Sequence, residues 1–161
     1  MKTLVQQGVV RIDTEPYFRR PVHYTGQPQP IPALTPAQEQ VFSGLKALLC
    51  APDAQAALLF GVTGSGKTLV ALMSMLIAID NGFQACIMAP TEILAEQHLA
   101  TIQGMLGGMD VNVELLTGMV KGKRRKAVLE GLANGSVNIL VGTHAVIEDT
   151  VQFARLGFVD V

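Results

Sequence analysis

The chain of 161 residues has room for one ordinary domain, and its 49% hydrophobic content is enough to build a buried core. Every apolar stretch is shorter than the roughly 18 residues that a membrane-spanning helix needs, and no apolar leader follows Met1, so we expect a soluble, cytoplasmic protein. The formal net charge of −1 excludes a general attraction to nucleic acid, so any DNA contact must come from local features.

The first 33 residues are predicted to be an irregular arm or linker. They contain five of the eight prolines and keep no helical or strand period. The segment Leu4–Ile12 reads as a helix end, a glycine stop and a strand, which indicates the remnant of a preceding domain. The aromatic pair Tyr17–Phe18, flanked by arginines, fits either stacking on bases or simple packing of the arm.

Helical and strand segments alternate from residue 34 to residue 161, which is typical of a parallel sheet. We predict helices at 35–49, 67–79, 91–103 and 123–133 from their starts and from glycine stops. Strands are predicted at 56–60, 84–88, 111–116 and 137–141, with a fifth beginning at Phe158. The predicted fold class is therefore α/β, a doubly wound and mostly parallel sheet with its ligand crevice at the carboxyl ends of the strands.

The two cysteines, Cys50 and Cys86, lie far apart without the spacing of a zinc site or a disulfide framework. No histidine lies near either of them in the sequence. We therefore predict that both are buried thiols.

A phosphate-binding loop stands between the predicted strand at 56–60 and the following helix. The segment G-V-T-G-S-G-K-T fits the P-loop pattern G-x-x-x-x-G-K-[ST] without departure, and the flanking elements disfavour a chance glycine turn. Its glycines let backbone N–H groups point at phosphates, Lys67 would reach the β and γ phosphates, and Thr68 would ligate Mg²⁺. We predict bound ATP and Mg²⁺, with Lys67 and Thr68 catalytic. The predicted contacts are Gly61, Val62, Thr63, Gly64, Ser65, Gly66, Lys67 and Thr68.

A glutamine precedes the P-loop and fits two roles. Thr35 and Gln38, with Pro36 between them, form a capping-box pattern that needs no ligand. The segment Leu34–Gln38 also resembles the Q motif of superfamily 2 helicases. That resemblance implies that the Gln38 amide pairs with the adenine edge of ATP.

Four later segments resemble successive motifs of the RecG family of bacterial superfamily 2 DNA helicases. They are Met88–His98, Leu116–Gly118, Lys121–Arg125 and Val141–Ala145. The P-loop itself and the arm at 4–21 are similar instead to the PriA helicase family. Either resemblance implies a RecA-like ATP-binding domain of a 3′ to 5′ DNA helicase or translocase that acts on forked or branched DNA, in replication restart or recombination repair.

The resemblance to RecG also implies contacts with the phosphates of a tracked DNA strand. From the residues alone, Thr91 and Glu92 fit a helix N-terminus, and His144 fits a core histidine equally well. Five cations in residues 121–126 fit either a solvated helix start or an anion site. The implied DNA contacts are Pro90, Thr91, Glu92, Thr117, Gly118, Thr143 and His144.

The carboxylates that hold the catalytic metal in such helicases follow a hydrophobic strand. Asp160 comes too soon after Leu156–Gly157 to match them, so we predict that the motif lies past Val161 and that a second RecA-like lobe is missing. A chain of this kind would bind ATP weakly and hydrolyse it poorly. Another P-loop ATPase, such as a small kinase or a transport ATPase, and a non-enzymatic nucleotide-binding module remain open alternatives.

Overall fold

The computed structural model describes residues 33–51 and 53–161, so the predictions for the arm lie outside the described residues. Each predicted helix is present within a few residues of its expected bounds. None of the described helices is long and apolar enough to cross a membrane. The elements in chain order are α1 (Pro36–Leu49), α2 (Lys67–Asp80), β1 (Gln84–Met88), α3 (Glu92–Leu106), β2 (Val113–Leu116), α4 (Gly122–Asn134), β3 (Ile139–Gly142), a 3-10 helix (His144–Ile147) and β4 (Leu156–Asp160).

The described strands form one parallel sheet in the order β2-β3-β1-β4. Residues at the centre of the sheet are in regular register, with Ile87 of β1 opposite Val141 of β3. Because β1 and β3 are flanked on both sides, their residues are almost entirely buried. The prediction of a parallel α/β sheet is confirmed.

Helices cover both faces of the sheet. On one face, α2 and α3 pack against side chains that include Ile87 and Val141. On the other face, α4 and the 3-10 helix pack against Cys86 and Leu140. Since neighbouring residues of a strand point to opposite faces, this alternation places one hydrophobic core on each side and confirms the doubly wound arrangement.

The strand predicted at 56–60 is absent, so the described sheet has four strands where five were predicted. Leu58 and Phe60 are each 92% exposed. A groove of about 710 Å³ separates this segment from β4. A strand needs a hydrogen-bonded neighbour, and no described strand lies on this side of β4. The apolar run predicted a buried strand. No described strand pairs with this segment, so its side chains stay exposed.

The two cysteines lie in different environments. Cys86 is buried in β1, as predicted, whereas Cys50 is exposed and the prediction for it is wrong. Cys50 follows the last residue of α1, and its backbone N–H closes that helix by donating to Lys46 O. A capping turn of this kind lies at the surface, which explains the exposure.

This difference predicts selective thiol chemistry. Burial raises the pKa of the Cys86 thiol from 9.0 to about 12, so its reactive thiolate is scarce at pH 8. We expect a thiol reagent to modify only Cys50 in the folded chain and both cysteines after unfolding. Because the unfolded thiol ionises first, the free energy of unfolding should fall as the pH rises above about 9. Mass spectrometry after alkylation measures the first effect, with Cys50→Ser as the control. Rapid modification of Cys86 in folded protein would contradict it.

Candidate nucleotide and DNA site

The predicted site residues gather at one edge of the sheet. Because β1, β2 and β3 are parallel, the residues that follow them emerge at the same edge. The chain returns from the end of α2 to the start of β1 through a short turn at 81–83. The N-terminus of α2, which carries the P-loop, therefore lies at the carboxyl edge as well.

The P-loop has the tight backbone that its glycines predicted. Gly64 and Gly66 have φ angles of 76° and 86°, in the left-handed region that favours glycine. Gly66 is also the N-cap of α2, and the N–H of Ser65 donates to Val62 O to close the turn. The loop thus leads directly into the N-terminus of α2. This is the positive end of the helix dipole, where an anion is stabilised.

Lys67 is folded back onto its own loop. Its Nζ donates to the carbonyl oxygens of Gly61 and Val62, each at 2.9 Å. The following Thr68 is partly buried in the first turn of α2. For Lys67 to reach a bound phosphate, it must exchange these two carbonyl partners for phosphate oxygens.

Gln38 makes the capping box and also contacts the P-loop. Its backbone N–H donates to Thr35 Oγ1, and its Oε1 accepts from the Thr35 N–H at 2.9 Å. Its Nε2 donates to Ser65 O at 2.9 Å, across 27 positions of sequence. The capping role is therefore confirmed, and the same side chain lies against the phosphate loop.

A threonine follows each of β1, β2 and β3. Thr91 is exposed and caps α3, its Oγ1 accepting from the Leu94 N–H at 3.3 Å. Thr117 is 3% exposed, and its Oγ1 accepts from the Met119 N–H. Thr143 is equally buried, but among the described residues its Oγ1 has no hydrogen-bond partner. A buried, unpaired hydroxyl costs free energy and is an unusual feature in a folded protein.

The other predicted DNA contacts surround these threonines. Pro90 is exposed and Glu92 is partly buried at the start of α3. A Cβ added at Gly118 would lie 3.7 Å from Glu92 Oε1, so the segments after β1 and β2 are neighbours. His144 is exposed at the start of the 3-10 helix, so the core-histidine interpretation is wrong.

The basic cluster, residues 121–126, opens α4. Lys126 pairs with Glu130 within the helix at 3.6 Å. Arg125 Nη2 reaches Glu148 Oε2 at 2.6 Å, in the loop after the 3-10 helix. Within 33–51 and 53–161, no ion pair holds the remaining three cations of the cluster. Sequence reasoning missed the Arg125–Glu148 pair, because a separation of 23 residues leaves no periodic signal.

Comparison with known proteins places this architecture in a family. A sequence profile described as DEAD/DEAH box helicase matches residues 35–160. The chain is 49% identical over 126 residues to the ATP-dependent DNA helicase RecG of Bacillus subtilis (strain 168), which covers 78% of this chain and 18% of that protein. It is 47% identical over the same length to RecG of Staphylococcus aureus (strain NCTC 8325 / PS 47).

A third relative, RecG of Haemophilus influenzae, is 42% identical over 156 residues, which covers 93% of this chain and 22% of the relative. The chain therefore spans only about a fifth of the length of these proteins. In structure it is similar, with a TM-score of 0.50 and 18% identity, to a Saccharomyces cerevisiae Dbp5 variant bound to Nup159, a Gle1 variant, IP6 and ADP. That likeness covers 77% of this chain and 36% of the other, and it concerns the fold alone.

The profile match includes the P-loop and all three segments that follow β1, β2 and β3. A different P-loop ATPase or an isolated nucleotide-binding module is not favoured, because neither alternative accounts for those later segments. With its RecA-like sheet, its P-loop and 126 matched residues, the chain belongs to the DEAD/DEAH box helicase family and is RecG-like within it.

Proposed function

We propose that this chain is the nucleotide-binding part of an ATP-dependent 3′ to 5′ DNA helicase or translocase. The observation that carries the proposal is the common placement of the P-loop and the strand-end threonines at one edge of the sheet. ATP held by the loop and a DNA strand held by the threonine segments would contact the same rigid body. Such a placement allows nucleotide binding to change the affinity for DNA.

The P-loop is suited to the phosphates of ATP. Gly64 and Gly66 shape the backbone, the start of α2 supplies unpaired N–H groups, and Lys67 supplies a cation. Gln38 contacts the loop through Nε2, which supports a role beside the proposed nucleotide site. We assign it the adenine contact, for which an amide that both donates and accepts is suitable.

Magnesium would be held mainly by Thr68 and the nucleotide itself. Thr68 lies in the first turn of α2, where we propose that the phosphates bind, and hydroxyl and phosphate oxygens are ligands that Mg²⁺ prefers. Among the described residues, no group of three or more acidic, histidine or cysteine side chains could hold a metal ion by itself. The ion would supply charge neutralisation at the phosphates, while the chain's own part is to orient them.

The proposed DNA contacts are to phosphates. Pro90–Glu92 and Thr117–Gly118 are neighbouring segments, and His144 is exposed beside them. Backbone-phosphate contacts carry no sequence information, which suits a motor that must move along any DNA. Lys121, Lys123 and Arg124 form no ion pair with another described residue, and they add the local positive charge that the overall composition lacks. We propose forked or branched DNA as the substrate class, in recombination repair or replication restart.

We further propose that residues 34–161 are the first RecA-like lobe and that residues 1–33 connect it to another domain. Efficient hydrolysis requires groups from a second lobe to complete the ATP cleft. A complete helicase would close this edge of the sheet against that lobe, with ATP between them.

The hydroxyl of Thr143, which has no hydrogen-bond partner among the described residues, gives one prediction for stability and one for DNA binding. Thr143→Val should raise the free energy of unfolding by about 1 kcal/mol, because it removes a buried hydroxyl to which no described residue forms a hydrogen bond. If that hydroxyl turns outward to bind a DNA phosphate, the same substitution should weaken binding of a single-stranded oligonucleotide severalfold. Denaturant unfolding and fluorescence anisotropy at low salt measure the two effects.

Thr117→Val is the matched control for the stability measurement. Thr117 follows the adjacent strand and is buried to the same extent, but its hydroxyl accepts from the Met119 N–H. Its replacement should therefore lower the free energy of unfolding by about 1 kcal/mol. Unchanged DNA affinity in Thr143→Val would remove Thr143 from the proposed DNA site. If the unmodified chain bound no oligonucleotide at low salt, the proposed function itself would be wrong.

A further inference from the structure

One ion pair joins two segments of the proposed DNA surface. Arg125, in the first turn of α4, donates to Glu148 Oε2 at 2.6 Å and contacts Thr150 Oγ1 at 3.4 Å. Its side chain is 23% exposed, whereas that of Glu148 is 49% exposed. The Arg125 side chain is therefore mostly covered, and its guanidinium holds the loop at 148–150 through two hydrogen bonds at the surface.

That loop is fixed at its other end by the core. It follows the 3-10 helix, whose Ala145 and Val146 are 1% and 7% exposed and pack between the sheet and α4. The turn at 148–151 is closed by the Val151 N–H, which donates to Glu148 O at 2.8 Å. Arg125 thus links the basic cluster to the segment that begins at Thr143.

The placement of Glu148 is electrostatically unfavourable for a surface that binds phosphates. A carboxylate near a DNA backbone repels it and lowers affinity unless it has another role. The short, partly buried ion pair with Arg125 gives Glu148 another role, because it fixes the position of the loop at 148–150 relative to α4.

We propose that Arg125 and Glu148 are positioning residues, which hold the basic cluster and the Thr143–His144 segment in one arrangement for DNA phosphates. Arg125 acts through Glu148 and does not itself contact DNA. The inference rests on the proposed DNA-binding function and adds to it the ion pair that shapes the DNA surface. It distinguishes Arg125 from Lys121, Lys123 and Arg124, which we assign to direct phosphate contact.

The direction in which one substitution changes the affinity for DNA tests this proposal. Glu148→Ala removes a negative charge, so simple electrostatics predicts tighter binding of single-stranded DNA, whereas loss of positioning predicts weaker binding. We expect at least a fivefold loss of affinity, measured by fluorescence anisotropy with a labelled oligonucleotide. Glu130→Ala is the matched control, since it makes the same charge change in the exposed pair with Lys126 and leaves the loop untouched. It should bind as tightly as the unmodified chain, or more tightly.

The salt dependence of binding gives a second, independent measurement. Each phosphate contact with single-stranded DNA adds about 0.7 to the slope of log affinity against log salt. Arg124→Ala should lower that slope by about this amount. Arg125→Ala should lower the affinity with little change of slope, because its guanidinium is occupied by Glu148.

Two outcomes are distinguishable. Binding by the unmodified chain together with tighter binding by Glu148→Ala would overturn the positioning role and leave the proposed function intact. Absence of binding by the unmodified chain at low salt would overturn the proposed function first. The reversed pair, Arg125→Glu with Glu148→Arg, keeps the net charge and should recover part of the affinity lost by either single reversal. Hydrogen exchange of the Val151 amide should be faster in Glu148→Ala than in Glu130→Ala.

Discussion

Replacement of Lys67 by alanine should reduce the affinity of the chain for ATP by roughly 10- to 100-fold. Lys67 supplies the positive side chain at the phosphate loop, and a hydrogen bond to a charged group contributes about 1.5–3 kcal/mol, where each 1.4 kcal/mol is tenfold in affinity. Its present partners are carbonyl oxygens of its own loop, so the substitution removes no contact from either core cluster. Titration calorimetry with ATP and Mg²⁺ measures the affinity.

Lys46→Ala is the control for that experiment. Lys46 is an exposed lysine in the last turn of α1, so its removal makes the same change in net charge away from the loop. It should leave ATP affinity unchanged, and the melting temperatures of both variants should be close to that of the unmodified chain. If Lys67→Ala retained the affinity of the unmodified chain, the assignment of the P-loop as the ATP site would be wrong.

Gly142→Ala should strongly lower the free energy of unfolding, although it adds only one methyl group. Gly142 ends β3 at the centre of the sheet, and a Cβ there would overlap the carbonyl oxygen of Leu116 and lie 2.6 Å from Val146 Cγ1. The backbone of β2 cannot yield without losing its ladder with β3. We expect a loss of about 3 kcal/mol in the free energy of unfolding, measured by denaturant titration.

The matched control is Gly104→Ala, which adds the same methyl group in α3. A Cβ at Gly104 meets nothing within 4 Å, and alanine is favoured over glycine inside a helix by about 0.5–1 kcal/mol. The control should therefore be neutral or slightly stabilising. A Gly142→Ala variant as stable as the unmodified chain would show that β2 and β3 are not packed as closely as described.

Much of this fold could be predicted because its signals are local. The capping box of Thr35 and Gln38 gave the start of α1, and Gly66 and Gly135 lie at a start and an end of helices where left-handed backbone is needed. The P-loop is a continuous segment, so its chemistry could be predicted from eight consecutive residues. The helix bounds followed for the same reason.

The wrong or missing predictions depend on distant partners. The run at 56–60 has the composition of a buried strand, but strand formation depends on a neighbour, and the described sheet ends at β4. Cys50 was predicted to be buried from residue type alone, although its exposure follows from where α1 stops. The Arg125–Glu148 contact and the burial of the Thr143 hydroxyl appear only once α4 and the 3-10 helix are packed on the sheet.

The folded-back lysine of the P-loop has a consequence for selectivity. Since the ammonium group donates two of its three N–H groups to the carbonyl oxygens of Gly61 and Val62, a phosphate must compete with both carbonyls for full contact with the lysine. A DNA phosphate would compete with a single charged group. A nucleotide offers a chain of phosphates that can engage the helix N-terminus and the lysine together. We therefore expect the loop to favour a nucleotide over the polyanion that we propose binds beside it.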